Sequence, residues 1–309
     1  MIGILAVIVL LVAALMVAEK IFERTNFYKQ NYSETDKLYG ASKVDYINTG
    51  STFASYGLDY NLAGADGINL ALCPQPLAVD YKMLKHFACR YNPGATVFIT
   101  IADLAFAKRS YTEARVTDKY FKFFSNSELD AYHPLRALRA KYFPVLYSWK
   151  NFLRFYRDIR LNSDRDVRVN ENDLEAVAAD AYKRCAAWKQ EFALDNLQDG
   201  AQSNRFTEEF AYTREIVAKM ITWCREHDLK PVLVNLPVTK EMANNFSNEF
   251  LDAFYYDHIN KLSQDMDVKF IDLQKNDKLT DYLLYLDSCR LNKAGREIVT
   301  KVLLAEANK

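Results

Sequence analysis

No two cysteines in this chain stand at CxxC spacing, and the five present, Cys73, Cys89, Cys185, Cys224 and Cys289, are scattered. That pattern argues against a zinc site and against a disulfide framework, and no metal or other cofactor is expected. An excess of charge of either sign is also missing, since 40 basic side chains balance 40 acidic ones. Without a global field to collect polyanions, nucleic acid is not expected as a partner. The chain has no GxGxxG, P-loop, HExxH or GxSxG motif, which leaves dinucleotide, nucleotide, zinc-protease and α/β-hydrolase readings without support. Only four histidines occur, His86, His133, His227 and His258, and none falls at the end of an expected strand, so general bases are scarce.

What is present begins with a long apolar run, IGILAVIVLLVAALMVA from Ile2 to Ala18, free of charge. At about 1.5 Å per residue it spans roughly 25 Å, a little short of a hydrocarbon core of about 30 Å. Ile21 and Phe22 extend it while Lys20 snorkels, so residues 1–22 read as a transmembrane anchor and the lipid bilayer as a partner. A cleaved signal peptide is the competing reading. It would have a shorter apolar region behind a basic residue, and here Met16 and Ala18 make a poor small-x-small cleavage site. Lys20, Arg24 and Lys29 follow the run and favour a cytoplasmic domain by the positive-inside rule, a bias that a large domain can override.

Behind the anchor, a polar juxtamembrane segment (23–42) leads into a domain of residues 43–309, half apolar like the chain as a whole and large enough for a sizeable core. A short β-type run, Val44 to Asn48, breaks at Gly50. GINLALC (Gly67 to Cys73) is a second apolar run, followed by a helix over Leu77 to Tyr91 and a buried strand over Ala95 to Ile101. Late in the chain the alternation returns. FTEEFAYTREIVAKMITWCREHDL is an amphipathic helix, KPVLVNLPV a strand, EFLDAFYYDHINKLSQDM a helix, VKFIDLQ a strand and LNKAGREIVTKVLLAEA a final helix. Such alternation predicts an α/β fold, a mainly parallel sheet with helices on both faces. Residues from about 107 to 205 show no strand rhythm, and they read as a helical insertion ending in a solvated charged linker, RLNSDRDVRVNENDLE.

In a parallel α/β sheet, ligands collect beyond the carboxyl ends of the strands. The residues expected there are Gly50, Ser51 and Thr52, then Asn69, Asp103 and Asn235, and finally Asp287 in the loop before the last helix. The pieces INTGSTFASYGLD, GINLALCPQPL, ATVFITI, KPVLVNLPV, KFIDL and LDSCRLNKAGREIV, in this order, resemble the SGNH/GDSL hydrolase superfamily. Within it, the chain is most similar to membrane-anchored members of cell-surface polysaccharide and teichoic-acid systems, those like the D-alanyl transfer protein and the alginate O-acetyltransferases. The likeness covers most of residues 44–103 and 206–305 and leaves the middle unassigned.

The resemblance implies a flavodoxin-like, three-layer α/β/α fold and a hydroxyl nucleophile in the first block. Aligned on Gly50, that position is Thr52, with Ser51 in the preceding slot, and both remain candidates. Asp287 would orient the general base. The family places a histidine three residues after that Asp, whereas Arg290 stands there in this chain. An arginine stays protonated and cannot take a proton from a hydroxyl. It can bind an anion such as a phosphate or a uronic acid, or pair with Asp287. Asn69 and Asn235, with the backbone amide after the first strand, are candidate oxyanion donors, and Asp103 lines the same crevice.

Two functions follow from the resemblance. One is O-acyl transfer (acetyl or D-alanyl) or ester hydrolysis on a cell-surface glycan or teichoic-acid-like polymer, with the acyl group delivered by a membrane-bound acyltransferase. The other is a catalytically inactive scaffold that binds the glycan or the acyltransferase. In both, a single-pass anchor holds the domain outside the cytoplasm.

Overall fold

The computed structural model describes residues 2–25, 28, 43–107, 120–121, 123–125, 128–129, 133–147 and 174–309. The elements of the first half are α1 (Ile2–Phe22), β1 (Val44–Thr49), α2 (Thr52–Ser55), α3 (Tyr60–Ala63), β2 (Gly67–Asn69), α4 (Leu77–His86), β3 (Tyr91–Thr100), α5 (Pro134–Tyr142) and α6 (Pro144–Tyr147). The second half adds α7 (Leu174–Glu191), α8 (Thr207–Glu226), β4 (Lys230–Asn235), α9 (Lys240–Ala243), α10 (Asn248–Leu251), α11 (Asp257–Asp265), β5 (Lys269–Asp272) and α12 (Lys293–Ala307). They form two compact units. One joins Met1–Lys37 to Tyr111–Arg165, and the other joins Leu38–Ser110 to Asp166–Lys309.

The second unit holds a five-stranded sheet of order β2-β1-β3-β4-β5 in which every pair is parallel. That is the flavodoxin-like order, and it reverses direction at β1. Because side chains alternate along a strand, each strand serves two cores. Phe98, Val232, Val234 and Ile271 pack with Ala54, Leu58 and Tyr60 and with Val299 and Leu303 of α12. The intervening Ile47, Val97, Ile99 and Leu233 are fully buried on the other face, where α4 touches β1 and α8 touches β4. Each such side chain contributes about 1.5–3 kcal/mol through burial. Along α8 the buried positions Phe210, Thr213, Ile216, Val217, Met220, Ile221 and Cys224 recur every three or four residues, the stripe a helix needs to lie on a sheet.

Three boundaries depart from the sequence pattern. The strand expected from Ala95 starts at Tyr91, and the helix expected to reach Tyr91 stops at His86 and is followed by a 3-10 turn, Ala88–Arg90. Pro93 and Gly94 look like a turn, yet the sheet takes them up as a bulge. The register with β1 shifts between Val44 and Tyr46, and Gly94, at φ +76°, donates its N–H to Asp228 O at 2.6 Å. The second apolar run yields a strand of only Gly67–Asn69, because the Asn69 side chain accepts from Ala71 N at 3.0 Å and turns the chain off the sheet. The helix expected over residues 249–266 carries a π-helical turn, Asp252–Tyr256, between α10 and α11.

The region expected as a helical insertion is divided. Among its described residues α5, α6 and α7 are helical and no strand occurs, but Tyr111–Arg165 groups with the N-terminal segment while α7 belongs to the sheet-bearing unit. Most of the juxtamembrane segment and of the charged linker lies outside the described residues.

In the first unit, α1 is exposed along its apolar length, from Ile4 at 69 % to Val17 at 60 %. It is long and apolar enough to cross a membrane, with a mean hydropathy of 2.6 over Gly3–Phe22, as a signal sequence also is. Exposure ends abruptly at Phe22, which is fully buried against Tyr28.

Candidate functional site

The strand order reverses at β1, and in sheets of this kind ligands bind beyond the carboxyl ends of the strands on either side of that point, here β1 and β3. Gly50 makes the turn at φ +129°. A Cβ there would lie 2.7 Å from Ala54 Cβ and 3.1 Å from Thr100 Cβ, so the position requires glycine. Its N–H is held by Asp80 Oδ1 at 2.8 Å, a buried carboxylate in the first turn of α4. Gln75 Nε2 donates to the same oxygen at 2.5 Å and to Leu70 O at 3.2 Å.

Both candidate nucleophiles are engaged by the loop between β2 and α4. Ser51 Oγ accepts from Gln75 N at 2.9 Å, and Thr52 Oγ1 lies 3.0 Å from Cys73 Sγ. Beside them, the hydroxyls of Thr49 and Thr100 are buried without a hydrogen-bond partner among the described residues. Unpaired groups of that kind cost about 1–3 kcal/mol each.

Asp287 sits in a lattice of charge. Its Oδ1 accepts the N–H groups of Cys289 (3.0 Å) and Arg290 (2.8 Å), the local turn that a short acidic side chain favours. Its Oδ2 accepts from Arg290 Nε at 2.5 Å and from Arg184 Nη2 of α7 at 2.7 Å. Arg184 Nε continues to Asp180 Oδ2 at 2.7 Å, and that oxygen also accepts from Ser288 Oγ at 2.6 Å. Burial raises the Asp180 carboxyl, but the Arg184 and Ser288 hydrogen bonds outweigh it and hold the group below its ordinary range. Arg290 lays its guanidinium over the Tyr56 ring at 5.1 Å, which ties this lattice to the end of α2.

A third group lies at the ends of β3, β4 and β5. Asn235 Nδ2 donates to Asp103 Oδ1 at 3.2 Å and to Gln274 Oε1 at 2.8 Å, while Gln274 Nε2 donates to Asp103 Oδ2 at 3.3 Å. Burial pushes the Asp103 carboxyl up to about 6 despite those amide donors, with Asp272 adding a like charge. The π-helical turn aims two consecutive tyrosines here. Tyr255 OH donates to Ile101 O at 3.0 Å, and Tyr256 is raised by burial and by the charges of Asp272 and Asp103.

Compared with protein-family models and with curated proteins, the chain matches none.

The residues singled out in the sequence therefore fall into separate groups. Asp287 pairs with Arg290, Asp103 with Asn235, and Ser51 adjoins Thr52. No hydrogen bond among the described residues joins either hydroxyl to Asp287 or to an imidazole. Asn69 is engaged within the protein: its Nδ2 donates to Ala54 O at 2.7 Å and Leu58 O at 3.0 Å, and its Oδ1 accepts from Asn48 Nδ2 at 2.8 Å. Asn235 has likewise committed both amide hydrogens, to Asp103 and Gln274, so neither asparagine is placed as an oxyanion donor.

The four histidines sit elsewhere. His86 lies at the end of α4 against Phe87, and His133 precedes α5 in the other unit. His227 stacks on Trp223 beyond α8. His258 lies among Phe106, Phe210 and Arg214, where burial and then the Arg214 charge press it down to about 4. Among the described residues no three metal-ligating side chains converge.

Sequence reading missed Asp80, Gln75, Asp180, Arg184 and Gln274. For Arg184 a signal existed, the Asp180/Arg184 pair at i, i+4 spacing, but it read as ordinary helix-surface charge. Asp80 carried none, since an acidic residue in a helix's first turn is explained by the helix alone.

Proposed function

We propose that the chain is a membrane-tethered, SGNH-like domain that holds an acidic cell-surface polymer, a uronate glycan or a teichoic-acid-like phosphodiester, and presents it to a membrane acyltransferase without performing acyl transfer itself. The observation that carries this reading is the pairing of Asp287 with Arg184 and Arg290. In an acyl-transfer triad that carboxylate orients an imidazole, which deprotonates the nucleophile. Here two permanent cations fill the place, and the Ser51 and Thr52 hydroxyls meet a backbone amide and a thiol instead of a base.

The same groups suit an anion. Asp287 takes one edge of the Arg290 guanidinium, and Tyr56 supports its face. The remaining N–H donors, on a side chain 36 % exposed, match a carboxylate or phosphate. The domain faces outward from the cytoplasm in this reading, and protease added to intact cells should digest it.

The test uses the purified full chain in mild detergent, assayed against an aryl acetate and an O-acetylated acidic glycan beside an Arg290→His variant. No turnover by the wild type is expected, together with binding of the acidic polymer that weakens about tenfold in Arg290→Gln, the loss of one charge-assisted contact. Wild-type turnover that disappears in Ser51→Ala or Thr52→Ala would establish acyl transfer and overturn the scaffold reading.

A further inference from the structure

The helices α5 and α6 carry an apolar face that nothing described covers. Leu135 is 62 % exposed, Leu138 56 %, Tyr142 58 % and Leu146 44 %. Their spacing of three, four and four residues puts Leu135, Leu138 and Tyr142 on one side of α5. The opposite side is formed by Ala137 and Ala140, both buried. At 3.6 residues per turn, Arg139 falls along one border of the apolar stripe and Lys141 along the other, with Arg136 farther round beyond Arg139. No acidic residue occurs in α5, PLRALRAKY.

A soluble helix turns its leucines inward and its charges outward; α5 keeps alanines inward and leucines outward, with cations at the edges of the stripe. That is the arrangement of a helix lying in a membrane interface, apolar side chains among the acyl chains and basic ones at the headgroups.

Its position within the same compact unit says which surface it meets. Val145 N, in the first turn of α6, donates to Glu19 Oε2 of α1 at 3.0 Å. Val145 is buried there, and α1 and α6 are in contact. Glu19 lies two residues beyond Val17, the last of the broadly exposed apolar residues of α1. At about 1.5 Å per residue, α6 is thus fixed about 3 Å along the axis from where the lipid-facing surface ends.

We infer that α5 and α6 form an interfacial foot, bound to the anionic headgroup layer of the bilayer at the point where α1 emerges. The inference rests on the reading of α1 as a membrane-spanning tether. The bilayer is the occupant because α6 is hydrogen-bonded to α1 close to where the exposed apolar run of α1 ends, and because the stripe is bordered by cations.

The full chain, reconstituted into phosphatidylcholine and phosphatidylglycerol vesicles doped with a phosphatidylcholine carrying an acyl-chain diazirine, provides the test. After irradiation and digestion, mass spectrometry should find lipid adducts on α1 and on residues 134–147. The double variant Leu135→Glu/Leu138→Glu should lower the adducts on 134–147 by about fivefold or more and leave those on α1 unchanged. Omitting phosphatidylglycerol should lower them severalfold. Labelled α1 with unlabelled 134–147, or labelling of 134–147 indifferent to the double variant, overturns the foot and leaves the tether standing. An unlabelled α1 removes the tether reading, and the foot with it.

Discussion

Replacing Asp103 with asparagine should change the chain's stability by an amount that depends on pH. The Asp103 carboxyl is raised from 3.8 to about 6, burial being the main cause. At about 1.4 kcal/mol per pKa unit the shift corresponds to about 3 kcal/mol, and screening by solvent at this partly exposed residue brings it to about 2 kcal/mol. In the folded chain the group holds its proton to higher pH than in the unfolded chain. The stabilisation is therefore present at low pH and lost as pH rises through the interval from about 4 to 6, leaving an ionised, partly desolvated carboxylate at neutrality.

Asparagine removes that cost and also one acceptor oxygen, since it cannot receive both Asn235 and Gln274; the lost hydrogen bond costs about 1 kcal/mol at any pH. The Asp103→Asn variant should be about 1 kcal/mol less stable than wild type near pH 4 and about 1 kcal/mol more stable near pH 7.5. Urea unfolding of the full chain in a non-ionic detergent, followed by tryptophan fluorescence, measures both. His258 acts with the opposite sign. Its folded value is pressed to about 4, so its contribution is present above its ordinary 6.5 and fades as pH falls. That contribution is common to both proteins and cancels in the comparison. A difference between Asp103→Asn and wild type that is the same at the two pH values, within about 0.5 kcal/mol, would refute the reasoning.

Gly50→Ala should cost about 2–5 kcal/mol, combining the strain of a positive φ with the contacts its Cβ would make on Ala54 and Thr100; a loss below about 1 kcal/mol in the same unfolding assay would show that the turn relaxes freely. Arg184→Met and Asp287→Asn should each destabilise by about 1–3 kcal/mol and couple by about 1 kcal/mol in a double-mutant cycle, because each side chain retains a second partner, Asp180 for Arg184 and Arg290 for Asp287. Additivity within about 0.3 kcal/mol would place the two groups in independent environments.

The layered α/β architecture was legible because β1, β3 and β4 are apolar runs and α8 and α12 carry regular stripes, and periodicity reports burial directly. Their order in the sheet could not be read from periodicity, since it depends on which strands meet across long connections. The π-helical turn also left no trace, because one extra residue per turn barely alters a helical pattern. Among the site residues, position along the chain located Asp103 and Asn235 at strand ends and Asp287 before the last helix. It said nothing of where the Asn69 side chain turns, and that is decided by the carbonyls of Ala54 and Leu58. Arg184 lay in a stretch without strand rhythm, where tertiary contact alone distinguishes a solvated arginine from one that holds Asp287. The apolar face of α5 was present in the sequence as LRALRAKY, but amphipathicity does not tell which side faces the protein.

Among the described residues the two outer strands of the sheet, β2 with 3 residues and β5 with 4, are its shortest. A margin that short offers few open N–H and C=O groups to a neighbouring chain. If α1 tethers the chain to a membrane, as proposed, copies share a plane in which encounters are frequent and similarly oriented, and margins as brief as β2 and β5 give such neighbours little backbone to fuse sheet to sheet.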